Sequence, residues 1–173
     1  MPDATGLELV AQRVRDKLGD DAVVGTAYHR ELATLEVAPG AVRDVIGYLK
    51  TEDEEPYPLL MSLHGCDYLP SEPRFGVHYQ LLSMQRTERL NVKTRLGTDE
   101  PRLPTVVDLF PGANFQEREV YDMFGVVFDG HPDLRRILMP EDYEGFPQRR
   151  DFPVGGEPIL FTHNEVGNPG WWK

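Results

Sequence analysis

The chain has 173 residues, and its 29 acidic against 18 basic side chains give a net charge of −11 at pH 7. This length suits one domain with a real core plus a tail, while the acidity excludes a nucleic-acid-binding protein, which needs a basic face. The single cysteine, Cys66, excludes an internal disulfide and an all-cysteine iron–sulfur or zinc site.

The first residues, MPDATGLEL, lack the basic and apolar regions of a signal peptide. No apolar stretch approaches the ~20 residues that span a bilayer. We therefore expect a cytoplasmic chain that associates with a membrane only through partners. The acidity itself has two open explanations, which are solubility and an acidic docking face.

Apolar spacing in the first third of the chain predicts two helices and a hairpin. Residues 7–18 and 39–49 carry apolar side chains at helical intervals. Between them, residues 21–27 and 32–37 are strand-like, and the second segment alternates clearly, so the two are expected to pair as a hairpin. An acidic surface link follows at residues 51–55.

Three further strands are predicted at residues 59–63, 75–84 and 90–96, and the second is long and apolar enough to be central in a sheet. Strands that come in groups, instead of alternating one by one with helices, favour an α+β fold. We expect a two-layer sandwich with a mixed sheet, in the order helix, two strands, helix, three strands, helix.

Charged, aromatic and turn residues are densest after Phe110. A helix is expected to begin near Phe115, with Asn114 as its N-cap and Glu117 reaching back to the cap. Glu117 and Glu119 then fall in the first turn, where the helix dipole favours negative charge. The left-handed conformation that glycine adopts would end this helix at Gly125, after about three turns.

Placing residues at 100° steps gives this helix an apolar face and a polar face. They consist of Val120, Met123 and Phe124, and of Arg118, Glu119 and Asp122. An exposed pair between Arg118 and Asp122 would add only about 0.3–0.5 kcal/mol. We therefore interpret the polar face as a partner surface, where substitution of Arg118 or Asp122 by alanine lowers assembly and leaves the fold nearly intact.

The chain after this helix reads as a turn followed by a short helix. An apolar run at residues 126–128 precedes the turn pair Asp129 and Gly130. His131 is expected to donate to a nearby carbonyl or carboxylate, and Pro132 suits the first position of a second helix.

The string EREVYDMFGVVFDGHPDLRRIL, residues 117–138, resembles the signature of the NuoC/NdhJ-type subunit of respiratory complex I, called the thirty-kilodalton subunit in mitochondria. The later GFPQRRDFP is similar to the family's GxPLRKDYP segment. Phe115, Phe146 and Gln148 depart from the family pattern, which places local contacts in question. The signature positions, which we predict to fix conformation or to form a partner interface, are Glu117, Arg118, Glu119, Asp122, Gly130, His131, Pro132, Arg135, Arg136, Arg149, Arg150 and Asp151.

The resemblance implies a subunit in the peripheral arm of a proton-translocating NADH:quinone oxidoreductase. FMN, iron–sulfur clusters, NADH and quinone would be held by other subunits and no cofactor by this chain. The chain would brace a NuoD-type subunit at the quinone site, touch NuoB- and NuoI-type subunits, and lie at the cytoplasmic side of the cell membrane. Membrane-bound hydrogenases, formate-oxidising complexes and ferredoxin-dependent photosynthetic NDH complexes share the signature and stay open as alternatives.

Beyond residue 139 the chain loses periodicity and mixes prolines with aromatic residues, a composition that cannot fold alone. We divide the chain into an α+β domain at residues 1–139 and an extended tail at residues 140–173. The family resemblance implies that the tail extends along the NuoD-type subunit. Packing of the tail back on its own domain is the alternative.

A metal-dependent hydrolase that uses Glu117, Glu119, Asp122 and His131 is the strongest enzymatic alternative. Residues two apart on a helix point about 200° from each other, so Glu117 and Glu119 cannot share a metal. The other histidines lack HxH or HxxxH spacing, and no glycine-rich phosphate motif occurs. The two arginine pairs of the signature are expected to bind acidic neighbours. We predict a subunit that is not catalytic by itself.

Overall fold

The structure is a computed structural model that describes residues 3–153. Its helices are α1 (Ala4–Leu18), α2 (Val42–Thr51) and α3 (Ala113–Phe124). Its strands are β1 (Val23–His29), β2 (Leu32–Val37), β3 (Leu59–Asp67), β4 (Phe75–Ser83), β5 (Glu88–Leu96), β6 (Arg102–Pro104) and β7 (Val127–Asp129). Single 3-10 turns lie at Asp20–Ala22 and Pro39–Ala41.

Five strands form one mixed sheet in the order β1-β2-β5-β4-β3. β2 and β5 run parallel, and the other neighbours pair antiparallel. Helix α1 packs on β1 and β2, and α3 packs on β3. The predicted α+β class, its mixed sheet and the β1–β2 hairpin are confirmed. The predicted central strand, β4, is interior, while β5 occupies the middle of the sheet.

Strand β4 shows why these segments form a sheet. Its residues Phe75, Val77, Tyr79 and Leu81 alternate along the chain and are fully buried. The opposite face of the strand is only partly covered. One face of the sheet therefore forms the core beneath the helices, as the sequence pattern predicts.

Two short strands were not predicted. β6 and β7 each have three residues and pair in parallel as a separate ribbon. Arg102 pairs with Val127, and Pro104 pairs with Asp129. Segments of this length carry too little alternation to be detected in sequence. The ribbon ties the chain before α3 to the chain after it.

The N-terminus of α3 differs from the prediction. The helix begins at Ala113, and Gly112 occupies the cap position without a side-chain hydrogen bond. Asn114 therefore lies inside the helix, and the first turn contains no acidic residue. The end is as predicted, because Gly125 is left-handed, with φ of 77°, and its N–H donates to the carbonyl of Tyr121.

No helix forms after Pro132 within the described residues, which corrects the prediction of a second short helix. The backbone N–H groups of Ile137, Leu138 and Met139 donate to the side chain of Asp122 instead of to helical carbonyls. A buried carboxylate thus takes the donors that a helix would have used.

Candidate functional site

Glu117 is fully buried where α3 meets the chain after β6. Its carboxyl group accepts from the Thr105 hydroxyl at 2.6 Å and from the Val106 N–H at 2.8 Å. Burial raises the pKa of Glu117 to about 7, although both hydrogen bonds oppose the rise. The predicted capping role is wrong, because both carboxylate oxygens bind outside the helix.

Asp122 is also fully buried, which corrects its placement on an exposed polar face. One carboxylate oxygen accepts from three consecutive N–H groups, those of Ile137, Leu138 and Met139, at 3.0, 2.7 and 2.9 Å. The other accepts from Arg136 at 2.7 Å. Burial acts to raise the pKa of Asp122, but these hydrogen bonds outweigh it and lower the pKa.

Arg118 does not pair with Asp122. Its guanidinium group donates to the backbone carbonyls of Arg135 and Arg136, both at 3.1 Å. Arg136 also donates to the carbonyls of Asp122 and Gly145. The segment from residue 135 to residue 139 is therefore held through its carbonyl groups at one end and its N–H groups at the other. We call it the clamped segment.

His131 binds the backbone at two points, as expected. The N–H of Asp133 donates to Nδ1 at 3.0 Å, so the ring hydrogen lies on Nε2, which donates to the carbonyl of Asn114 at 3.2 Å. Nε2 is 4.0 Å from the carboxylate of Glu117. Glu119, Gly130 and Pro132 lie nearby in the sequence but are exposed or partly exposed. Helix α3 thus separates Glu117 from Glu119, as the 200° angle predicts.

The two arginine pairs behave differently from each other. Arg135 lies 2.9 Å from Asp133, and Arg136 lies 2.7 Å from Asp122, which confirms the expected ion pairs. Arg149 instead donates to the carbonyl of Phe124. Arg150 likewise donates to a backbone oxygen, the carbonyl of Leu69, so the second pair does not follow the prediction.

Asp151 belongs to a cluster that sequence reasoning missed. Arg74, immediately before β4, makes two hydrogen bonds to Asp67 and two to Asp151. Asp67 and Arg74 are almost completely buried, whereas the Asp151 side chain is about half exposed. Hydrogen bonds from Arg74 lower the pKa of both carboxyl groups. We call Asp67, Arg74 and Asp151 the clasp. Its spacing in the sequence does not predict it, because Arg74 and Asp151 are 77 residues apart.

The clasp holds residues 140–153 against the domain. Arg149 stacks over the rings of Phe75 and Phe146, at 4.9 and 4.4 Å from the ring centroids. A Cβ atom on Gly125 would lie 2.6 Å from both Arg149 and Phe146, so only glycine fits beneath them. The first part of the predicted tail therefore packs on its own domain. The remainder, with the prolines and tryptophans of residues 154–173, lies outside the described residues.

The open face of the sheet carries a polar row. The His64 and His78 rings stack with centroids 5.0 Å apart, and His78 contacts Tyr68 at 2.9 Å and Asn91 at 3.1 Å. Burial lowers the pKa of His78 to about 4, which favours the neutral ring. Burial also raises the pKa of the Cys66 thiol, as expected for an unreactive cysteine.

The signature residues are thus brought together around α3, but they do not form a cluster of metal ligands. Within residues 3–153, no group of three or more His, Cys, Asp or Glu side chains is arranged to hold a metal ion. The buried carboxylates of Glu117 and Asp122 are bound to N–H, hydroxyl and guanidinium groups. This chemistry fixes backbone conformation.

Such an α+β domain, whose signature charges bind its own backbone, fits the class of respiratory-chain subunits that the signature resembles. Residues 35–158 match the family described as "Respiratory-chain NADH dehydrogenase, 30 Kd subunit", and the chain belongs to this family. A subunit of the NADH-quinone oxidoreductase of Roseiflexus castenholzii is 46% identical over 145 residues, covering 84% of this chain and 83% of the relative. The corresponding NADH-quinone oxidoreductase subunit from Herpetosiphon aurantiacus is 50% identical over 119 residues, covering 69% and 70%.

Two solved structures have the same fold. The trypsin-resistant fragment (1-134) of Nqo5 is 33% identical with a TM-score of 0.63, covering 74% of this chain and 98% of the fragment. A chain of an archaeal membrane-bound sulfane sulfur reductase, a respiratory membrane complex, is 28% identical with a TM-score of 0.68, covering 85% of each chain. In the described part of the chain, no helix has the length and apolar character needed to cross a membrane.

Proposed function

We propose that this chain is a scaffold subunit of a proton-translocating NADH:quinone oxidoreductase, without a cofactor of its own. The observation that carries the proposal is the use of Asp122, whose carboxylate binds three backbone N–H groups and Arg136. Glu117 is used in the same way. In this proposal the two buried acidic residues of the signature hold the backbone in place, and the redox chemistry takes place in other subunits.

The exposed signature positions are proposed to form the partner interface. They are Glu119, Gly130, Pro132, Arg135, Arg150 and Asp151, all of them exposed to solvent. Buried positions such as Glu117 and Asp122 act indirectly, because they hold the backbone that carries the exposed ones. We separate these indirect positions from the interface positions because Glu117 and Asp122 are both 0% exposed.

The main partner in this proposal is the NuoD-type subunit at the quinone site, with further contacts to NuoB- and NuoI-type subunits. Residues 154–173 are proposed to extend along the NuoD-type subunit, starting from the point where the clasp fixes Asp151. Through these partners the chain would lie at the cytoplasmic side of the cell membrane. FMN, iron–sulfur clusters, NADH and quinone would be bound by the other subunits.

A second candidate is the equivalent subunit of a related membrane complex. It is favoured by the similarity to a chain of the membrane-bound sulfane sulfur reductase, 28% identical over 85% of this chain. Membrane-bound hydrogenases, formate-oxidising complexes and ferredoxin-dependent NDH complexes belong to the same group of alternatives. The greater identity to a subunit of an NADH-quinone oxidoreductase, 46% over 84% of this chain, favours the first candidate.

A pull-down from gently solubilised native membranes tests the proposal. The tagged full chain should bring down flavin, iron–sulfur absorbance and NADH:quinone activity, while the same chain purified alone should be colourless and metal-free. Isolation with nickel and hydrogenase activity would transfer the chain to the second candidate. A chain that remains alone and retains stoichiometric metal would contradict the scaffold role and support the hydrolase alternative.

A further inference from the structure

Two adjacent apolar residues of the clamped segment are exposed. Ile137 is 37% and Leu138 is 62% exposed, although their backbone N–H groups both donate to the buried carboxylate of Asp122. Burying both side chains would have been favourable if the chain had been free to turn them inward. The backbone contacts therefore hold an arrangement that leaves apolar surface in water.

The conformation of the clamped segment is fixed from both sides. Asp122 binds its N–H groups, Arg118 binds the carbonyls of Arg135 and Arg136, and Arg136 bridges to the carbonyl of Gly145. Each of these bonds joins a charged group to backbone, which is the stronger kind of hydrogen bond. A segment held in this way loses little conformational freedom when it binds, so its exposed side chains are preorganised for a partner.

The surroundings of the exposed pair are acidic. The chain folds back so that Arg135 contacts Glu141 and Arg136 contacts Gly145. Residues 133–144 carry four exposed carboxylates, those of Asp133, Glu141, Asp142 and Glu144, against one exposed guanidinium group, that of Arg135. Arg135 is shared between Asp133 and Glu141.

We propose that Ile137 and Leu138 are the anchor of the subunit interface and insert into an apolar groove bordered by lysine or arginine on a partner subunit of the complex. The apolar pair supplies the buried contact, and the acidic border supplies charge complementarity. This inference rests on the proposed function, because it requires a partner subunit. It identifies which surface docks and what the partner must present.

A double variant tests the anchor in the assembled complex. Ile137→Ser together with Leu138→Ser in the full chain should weaken co-purification with the other subunits at least about tenfold, because truncating interface anchors has effects of this size. The matched control is Leu9→Ser with Met84→Ser, two residues that are 58% and 65% exposed elsewhere on the domain. The control should assemble as the unaltered chain does. Thermal unfolding should show that both double variants remain folded at the temperature of the assembly assay.

Cross-linking identifies what covers the anchor. A photoreactive amino acid at position 138 should cross-link to a partner subunit, at an apolar groove flanked by basic residues. Cross-links to residues 154–173 of the same chain, or to a second copy of it, would overturn the proposal. Charge reversal at Glu141, Asp142 and Glu144 should weaken assembly most at low salt, since surface charges are screened as salt rises.

The scaffold function and the Ile137–Leu138 anchor can be refuted separately. If the unaltered chain does not co-purify with other subunits, the scaffold function falls and the anchor falls with it. If the unaltered chain assembles and the Ile137→Ser, Leu138→Ser variant assembles equally well, only the anchor is refuted.

Discussion

At the scale of single residues, the burial of Glu117 lowers the free energy of unfolding by an amount that depends on pH. Its pKa rises from 4.5 to about 7 because the carboxyl group is buried. Between these two values the folded chain binds more protons than the unfolded chain, so the free energy of unfolding falls as pH rises. A shift of this size corresponds to about 3 kcal/mol above pH 7.

Glu117→Gln should remove this pH dependence. The amide stays neutral and can keep the hydrogen bond from the Val106 N–H, so the variant should gain up to about 3 kcal/mol over the unaltered chain as pH rises from 4.5 to 7. Urea unfolding at several pH values measures the difference. Glu119→Gln, at an exposed position of the same helix, is the control and should follow the unaltered chain. Parallel curves for Glu117→Gln and the unaltered chain would contradict the assignment.

Asp122→Ala should strongly destabilise the isolated domain, whereas helical spacing alone led to the expectation that the substitution only weakens assembly. Removing the carboxylate leaves three N–H groups and the guanidinium group of Arg136 without their hydrogen-bond acceptor. Breaking a buried charge pair costs about 3–5 kcal/mol. The free energy of unfolding of the isolated chain measures this loss. Glu119→Ala, which removes an exposed carboxylate from the same helix, should change it by less than about 0.5 kcal/mol. A stable Asp122→Ala chain would restore the original expectation.

At the scale of elements, the contact between α3 and β3 depends on Gly65. A Cβ atom there would lie 2.6 Å from the ring of Phe124 and 3.2 Å from Val120. The helix can approach the strand only where the strand has no side chain. Gly65 therefore sets how close α3, and the signature residues on it, lie to the sheet.

Gly65→Ala should destabilise the domain by about 1–3 kcal/mol, because overpacking forces the helix away from the strand. Thermal unfolding of the full chain measures the effect. Gly47→Ala in α2 is the matched control, since its Cβ would meet only Leu109 at 3.8 Å, an ordinary contact. That substitution should stabilise the domain by roughly 0.5–1 kcal/mol, as alanine does in a helix. Equal losses in both variants would argue against close packing as the cause.

At the scale of the whole molecule, the clasp joins residues 140–153 to the sheet. Arg74 joins the end of β3, through Asp67, to Asp151 near the end of the described residues. It connects positions 77 residues apart in the sequence. The clasp therefore fixes Asp151, close to the end of the described residues, to the sheet.

Asp151→Asn should loosen residues 140–153 without unfolding the sheet, because Arg74 keeps its buried pair with Asp67. Trypsin should then cleave after Arg149 and Arg150 several-fold faster, since cleavage requires local opening. Asp142→Asn, an exposed position in the same segment, is the control and should leave the cleavage rate unchanged. Unchanged cleavage in Asp151→Asn would mean that Arg149 and Phe146 hold the segment without the clasp.

The sequence by itself determined the fold class, the two N-terminal helices, the five main strands and the left-handed end of α3 at Gly125. Each depends on local patterning, because alternation and helical spacing follow directly from backbone geometry. The family signature was equally visible, because it is one continuous string.

Only the tertiary structure decided what the signature residues do. Helical spacing placed Asp122 on a polar face with Arg118, yet Asp122 is buried against N–H groups that lie 15–17 residues further along the chain. The clasp and the contact of Glu117 with Thr105 likewise join segments that are distant in sequence. A buried charge is stable only with partners around it, and those partners are set by how the chain folds back, which spacing along one element does not encode.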